Sequence, residues 1–221
     1  MYSRNSKLAP PGSQASPEVN ILQNQVDWIL SGGLCVYPTT TQPALGCLPL
    51  PEYLNLLYSV KKRSPNKPVS IGVVNLEQAS DYVEIPTGLE SFLSHFERGA
   101  ITVLLPGKKE LDTRLGTKGV AVRVLDHPIA RDLVKQTGPL SATSANISGT
   151  DPLKSCYEAA LELGGRDAGI DWIDAISQGG LPSTLISWPL QIGLNASRAP
   201  KILREGKIPI KEVMTAWKNP I

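Results

Sequence analysis

Short apolar runs recur along this chain at Leu34–Tyr37, 69–74, Ile101–Leu105 and Val120–Val124, and stretches with helical spacing lie between them. Runs of this length, rich in Val, Ile and Leu, read as buried strands. From Pro17, the residues Leu22, Val26, Ile29 and Leu30 recur on one helical face. Ser16 is the expected N-cap of that helix, and Gly32-Gly33 is its expected stop. Further helices are expected at 51–62, with Leu54, Leu57 and Tyr58 on one face, and at 76–82, 86–97, 128–136 and 155–163. Asp126 is the expected cap of the helix at 128. Further strands are expected near 172–176, 183–187 and 201–204, with a polar loop over 38–46 and a long surface excursion over 177–200. Strands alternating with helices, without an internal repeat, predict an α/β fold with a twisted sheet. The length of 221 residues suits one domain, expected over 17–221. Residues 1–16 are polar, carry Pro10, Pro11 and Gly12, and are expected to form a flexible tail.

Composition excludes several classes. Hydrophobic residues are 41% and charged residues 19%, which argues against a disordered chain. The 22 basic and 20 acidic residues leave a net charge of +2, so the total does not mark a nucleic-acid binder, although a local basic patch stays open. Cys35, Cys47 and Cys156 are far apart and odd in number, and His95 and His127 stand alone, so neither a disulfide framework nor a standard zinc site is expected. No apolar run approaches the roughly 18 residues that span a bilayer. The N-terminus lacks a secretory signal, so the expected compartment is the cytoplasm. No P-loop, G-x-G-x-x-G, H-E-x-x-H or G-x-S-x-G motif occurs.

Four segments carry candidate chemistry. In Pro139 to Gly149 the side chains of Ser141, Thr143, Ser144, Asn146 and Ser148 are small and polar. They would let phosphate or carboxylate oxygens approach the backbone, although an ordinary polar turn has the same composition. Lys61-Lys62-Arg63 with Lys67 forms either an anion-binding turn or a solvated helix end. Thr39-Thr40-Thr41 follows a strand, where ligands of α/β sheets gather, yet β-propensity alone could explain it. Arg123 interrupts the strand Val120–Val124 and faces either solvent or a ligand; Arg204 has the same ambiguity.

Taken in order, these segments resemble the YrdC/Sua5 family. The resemblance rests on Gly32-Gly33, on Tyr37-Pro38-Thr39-Thr40-Thr41, on Lys61-x-Arg63 with Lys67-Pro68, and on Val122-Arg123 with His127-Pro128. It rests further on Thr143 to Gly149, Ser183-Thr184-Leu185-Ile186 and Leu203-Arg204-x-Gly206. It spans about 17–210 and departs from the family pattern at Thr40, Pro43-Ala44 and Gly72. The resemblance implies a single-domain, YrdC-like fold: a mixed sheet flanked by helices, with a concave, locally basic binding surface. It implies synthesis of threonylcarbamoyl-adenylate from L-threonine, bicarbonate and ATP, for transfer to a tRNA adenosine by a downstream transferase. In that reading Lys61 and Arg63 are catalytic, and Lys67, Ser144, Ala145, Asn146 and Arg204 hold ATP. Thr39, Arg123, Thr143 and Ser183 hold threonine, and Mg²⁺ rides on the phosphates without a protein ligand. The alternative is a module of the same fold that binds double-stranded RNA by shape and phosphate contacts.

Overall fold

The structure is a computed structural model describing residues 17–108, 110–189 and 199–219. The expected tail at 1–16, with its Ser16 cap, and positions 190–198 of the expected excursion lie outside the described residues. The strands are β1 (Leu34–Tyr37), β2 (Ala44–Gly46), β3 (Ser70–Val73), β4 (Ile101–Leu105), β5 (Val120–Val124), β6 (Leu140–Ser144), β7 (Ile170–Trp172), β8 (Thr184–Ser187) and β9 (Lys201–Arg204). They form one sheet in the order β7-β1-β2-β6-β3-β5-β4-β8-β9. The pairs β1/β7, β3/β5 and β4/β8 are parallel and the others antiparallel, so the sheet is mixed. The helices are α1 (Pro17–Leu30), α2 (Pro51–Val60), α3 (Leu76–Ala79), α4 (Leu89–Leu93), α5 (Pro128–Thr137), α6 (Cys156–Glu162) and α7 (Ile210–Lys218).

The structure corrects several sequence expectations. The loop expected over 38–46 ends in a strand, β2, because Ala44 and Leu45 are apolar enough to pair with β1 and β6. Within Pro139 to Gly149, where an oxyanion-binding segment and an ordinary polar turn were both open, residues Leu140–Ser144 form a strand: β6 sits between β2 and β3, where ladder hydrogen bonds outweigh the turn preference of Ser and Thr. The helices at 76–82 and 86–97 are shorter than expected. Asp126 is not the cap of α5; His127 holds that position without a side-chain cap bond, and Pro128 begins the helix. Leu30 lies off the buried face of α1 and is 49% exposed. The strand expected at 172–176 ends at Trp172, and the chain after it adds α7, which was not anticipated.

The strands that frame the cleft separate their residues between two faces. Ile71, Val73, Val103, Val120, Val122 and Ile186 point to one face, which buries them with Leu54, Leu57, Phe92 and Ala159 from the helices. The opposite face is covered only in part. There Cys35, Tyr37, Leu125 and Leu140 pack against Val26 and Ile29 of α1 and Ala130, Leu133 and Val134 of α5. Beyond these helices the same face carries Ser70, Thr102, Ala121, Arg123 and Ala142, and it is open. The first face needs apolar residues at every second position, and the second face tolerates small and polar ones.

An aromatic cluster closes the far edge of the sealed face. Phe92 in α4 makes edge-on contacts with Trp188, just after β8, at 5.5 Å and with Trp217 in α7 at 5.7 Å. Trp188 and Trp217 are themselves 5.2 Å apart. Phe92→Ala is expected to lower unfolding free energy by about 3–5 kcal/mol through loss of this packing. Urea unfolding checks this, and a loss below about 1 kcal/mol would show that the cluster does not anchor α7.

Candidate active site

The uncovered part of the sheet is the floor of a cleft holding about 760 Å³ of empty space, open solvent included. Ser70, Ala121 and Ala142 keep the floor low, so a ligand can approach the strands closely. Thr41, Gln42 and Pro43 form one wall, Arg63 and Pro68 another, and Pro182, Ser183 and Arg204 a third. Thr143 and Ser144 of β6 also line the cleft.

Three guanidiniums, from Arg63, Arg123 and Arg204, line this cleft, and its lining contains no Asp or Glu among the described residues. Backbone carbonyls hold all three in place. Arg63 Nε donates to Lys67 O at 2.7 Å and its Nη2 to Pro68 O at 2.9 Å. Arg204 Nη2 donates to Ser183 O at 2.7 Å. Arg123 is only 8% exposed; its Nε donates to Gly99 O at 2.8 Å and its Nη2 to Thr41 Oγ1 at 2.8 Å. Gly99 has φ +76°, which suits glycine, and a Cβ there would meet Thr40 Oγ1 at 2.8 Å. Burial, opposed by Tyr37 and reinforced by the charge of Arg204, lowers the Arg123 guanidinium to about 10. Arg204 is lowered by burial and then by Arg63. The cations therefore repel one another, and an anion in the cleft relieves that repulsion.

Lys61, which also belongs to the cation cluster of the sequence, is off the cleft wall and 1% exposed. Its Nζ donates to Ser144 O at 2.5 Å and Asn146 O at 2.6 Å, and its own carbonyl accepts from Ser148 N at 3.1 Å. This lysine clamps the turn after β6 to the end of α2. Asn146, 6% exposed, completes the turn: its Nδ2 donates to Ile147 O at 3.0 Å and Thr150 O at 2.6 Å, and its Oδ1 accepts from Ser144 Oγ at 2.5 Å. Ala145 is buried, and its N–H donates to Pro43 O at 2.9 Å. Ala145 and Asn146 thus shape the turn from beneath the lining. Lys67 is exposed beside Arg63, off the lining, and offers its carbonyl to Arg63 and to the Tyr58 hydroxyl.

Thr39 lies behind the first wall and is 1% exposed. Its Oγ1 donates to Gln42 O at 2.7 Å and accepts from Thr41 N at 3.1 Å. Thr39 N donates to Ser177 Oγ at 3.0 Å, and Gly179 N donates to Thr41 O at 2.6 Å, so the segment after β7 straps this loop. The hydroxyl that reaches the cleft is that of Thr41. Ser183 lines the cleft as expected, with its Oγ 2.7 Å from Thr102 Oγ1. Sequence reasoning marked the run Thr39-Thr40-Thr41 without singling out Thr41, and it missed Thr102. For Thr102 the available signal was a hydroxyl inside an otherwise apolar strand, the same signal that marked Arg123. Gly72 lies beside Leu125, whose Cδ1 a Cβ at 72 would meet at 3.0 Å.

The chain is similar to known proteins. A family model for Sua5, YciO and YrdC, described as telomere recombination, matches residues 27–206. A threonylcarbamoyl-AMP synthase of Bacillus subtilis is 32% identical over 192 residues, covering 84% of this chain and 53% of that protein. The chain thus spans about half the length of that relative. A threonylcarbamoyl-AMP synthase of Photobacterium profundum is 32% identical over 155 residues, covering 65% of this chain and 81% of the relative. The crystal structure of Pyrococcus abyssi Sua5 complexed with L-threonine matches with a TM-score of 0.78 at 26% identity, over 92% of this chain and 58% of that one.

The clamp carries a pH signature. Burial first, and the Arg63 charge second, lower the Lys61 ammonium from its usual 10.5 to about 8. Below pH 8 the group is charged in both folded and unfolded chains, and the cost of burying it is carried in full. Between about pH 8 and 10.5 the unfolded chain retains a proton that the folded chain has released, so this contribution to stability rises with pH. The difference in unfolding free energy between wild type and Lys61→Met is expected to move in favour of wild type by on the order of 3 kcal/mol across that window. Chemical denaturation at several pH values measures it, and a difference flat with pH would contradict a charged, buried Lys61.

Proposed function

Because the chain belongs to the Sua5–YciO–YrdC family, we propose that it is a threonylcarbamoyl-AMP synthase, using L-threonine, bicarbonate and ATP. The observation that carries this reading is the set of three guanidiniums in one cleft whose lining lacks Asp and Glu. The chemistry brings a carboxylate, a carbamate and a triphosphate together, and these anions repel unless cations converge on them.

Threonine's amine and bicarbonate give N-carboxythreonine and water. A carbamate oxygen then attacks the α-phosphorus of ATP, a P–O bond forms, and the bond to the β-phosphate breaks to release pyrophosphate. The protein's task is positioning and charge stabilisation. Arg123, cross-linked to Gly99 and Thr41, takes the threonine carboxylate. Thr143 and Ser183 contact the rest of the amino acid, while Thr39 serves by fixing the loop that carries Thr41. Arg63 takes the phosphates, and Arg204 closes over the nucleotide from β9. Ser144 meets the nucleotide, supported from behind by Ala145, Asn146 and the Lys61 clamp. Lys67 adds positive charge at the mouth. Mg²⁺ would enter as the counter-ion of ATP: among the described residues the cleft lining would offer it hydroxyls and carbonyls but no carboxylate. The product is the donor for a tRNA-modifying transferase acting in the cytoplasm. A recess walled on three sides favours a small anionic ligand over an RNA duplex, which is read by shape and phosphate contacts along a surface.

Purified protein is expected to release pyrophosphate from ATP only when both threonine and bicarbonate are present. Release without threonine, or none at all, would overturn the assignment. Arg63→Ala is expected to weaken ATP binding by about 1.5–3 kcal/mol, as for a charge-assisted hydrogen bond. Titration calorimetry tests this, and unchanged affinity would remove Arg63 from the phosphate site.

A further inference from the structure

Thr102 is the one hydroxyl in the apolar strand Ile101–Leu105, and it is 3% exposed. It faces the cleft, where its Oγ1 lies 2.7 Å from Ser183 Oγ, itself 4% exposed. Each hydroxyl carries one proton. One of the two protons forms the bond within the pair, and the other has no acceptor among the described residues. A buried O–H without an acceptor is costly, and here it lines a ligand cleft.

The neighbours of the pair indicate what fills it. In the β4–β5 ladder Val103 stands opposite Val122, so one step along Thr102 stands opposite Arg123. Their Cβ atoms are then about 5 Å apart, with both side chains on the cleft face. In the β4–β8 ladder Ile101 is opposite Thr184, which brings Ser183 to the same end of the site. A carboxylate on Arg123 would leave the side chain of a small amino acid within reach of the hydroxyl pair. A β-hydroxyl there accepts the unplaced proton; a methyl in its position leaves that proton without an acceptor.

Resting on the synthase reading above, we propose that Thr102 is a specificity-determining residue: with Ser183 it forms a hydroxyl pair that selects an amino acid with a β-hydroxyl over its apolar isostere. Thr102→Val tests this well, because it keeps the branched shape in the strand and removes only the hydroxyl. The Ser183 hydroxyl then loses its partner and turns to donate or accept indiscriminately.

The experiment is calorimetric binding of L-threonine and L-valine to wild type, Thr102→Val and Thr102→Ser, with thermal unfolding of each. Wild type is expected to favour threonine by roughly tenfold or more, because a site built around a substrate hydroxyl rejects the analogue lacking it. Thr102→Val is expected to cut that ratio by at least about fivefold, and Thr102→Ser to keep it within about twofold. A purely structural role would alter melting temperature or weaken both ligands equally without changing the ratio. Equal weakening would mean that the pair reads the carboxylate or ammonium common to both amino acids, and it overturns the proposal, as does an unchanged ratio; either result leaves the synthase reading intact. A wild type that binds threonine no better than valine overturns the threonine assignment and the role of Thr102 together.

Discussion

Alternation along β3, β4 and β5 sends Ile71, Val73, Val103, Val120 and Val122 to a face sealed by helices, and Ser70, Thr102, Ala121 and Arg123 to a face that α1 and α5 seal only in part. Each Val or Ile on the sealed face contributes roughly 1.5–3 kcal/mol by burial. A slip of one residue in β4 or β5 would drive Thr102 or Arg123 into the apolar core and bring valines into the cleft. The core therefore sets the register, and the register positions the cleft residues. The backbone positions of the functional groups are thus fixed by packing on the other side of the sheet.

The second determinant is how the cations are held. Arg63, Arg123 and Arg204 are aimed by carbonyl oxygens, with Thr41 adding a hydroxyl for Arg123. A carboxylate partner would have neutralised them. Carbonyls fix direction and leave the charge in place, so the three cations repel one another across the cleft, a repulsion that a bound anion would relieve. Preorganised charge of this kind stabilises developing negative charge without reorganisation during the reaction. Lys61 applies the same device to the backbone, tying two carbonyls of the turn after β6 to the end of α2. Its ammonium acts on Ser144 and Asn146 from beneath, while Arg63, two residues on, reaches the cleft itself.

Much of this was legible in the order of residues. Short runs dominated by Val, Ile and Leu mark β1, β4 and β5, and their limits at Leu34–Tyr37, Ile101–Leu105 and Val120–Val124 follow from local chemistry. Arg123 stood out because a guanidinium in such a run needs a reason, and several of the segments that carry the YrdC/Sua5 resemblance, those with Arg63, Arg123, Thr143, Ser183 and Arg204, converge on the cleft. The stretch 140–144 was less legible: Ser and Thr suit turns as readily as strands, and only the presence of β2 and β3 on either side makes it β6. The motif order likewise could not separate Thr39 from Thr41, because which of two nearby hydroxyls faces the cleft depends on the strap from Ser177 and Gly179, far along the chain.

The sequence by itself determined the fold class, the family and the identity of the cationic residues, because strand periodicity and short motifs are local properties of the chain. Only the tertiary structure decided which of those residues share a cleft, that Lys61 holds a turn and is off the wall, and that Thr102 meets Ser183. The Lys61 and Thr102 pairings join residues 81 to 85 positions apart. Such contacts are set by sheet order and by which face each helix covers, and no local pattern encodes either.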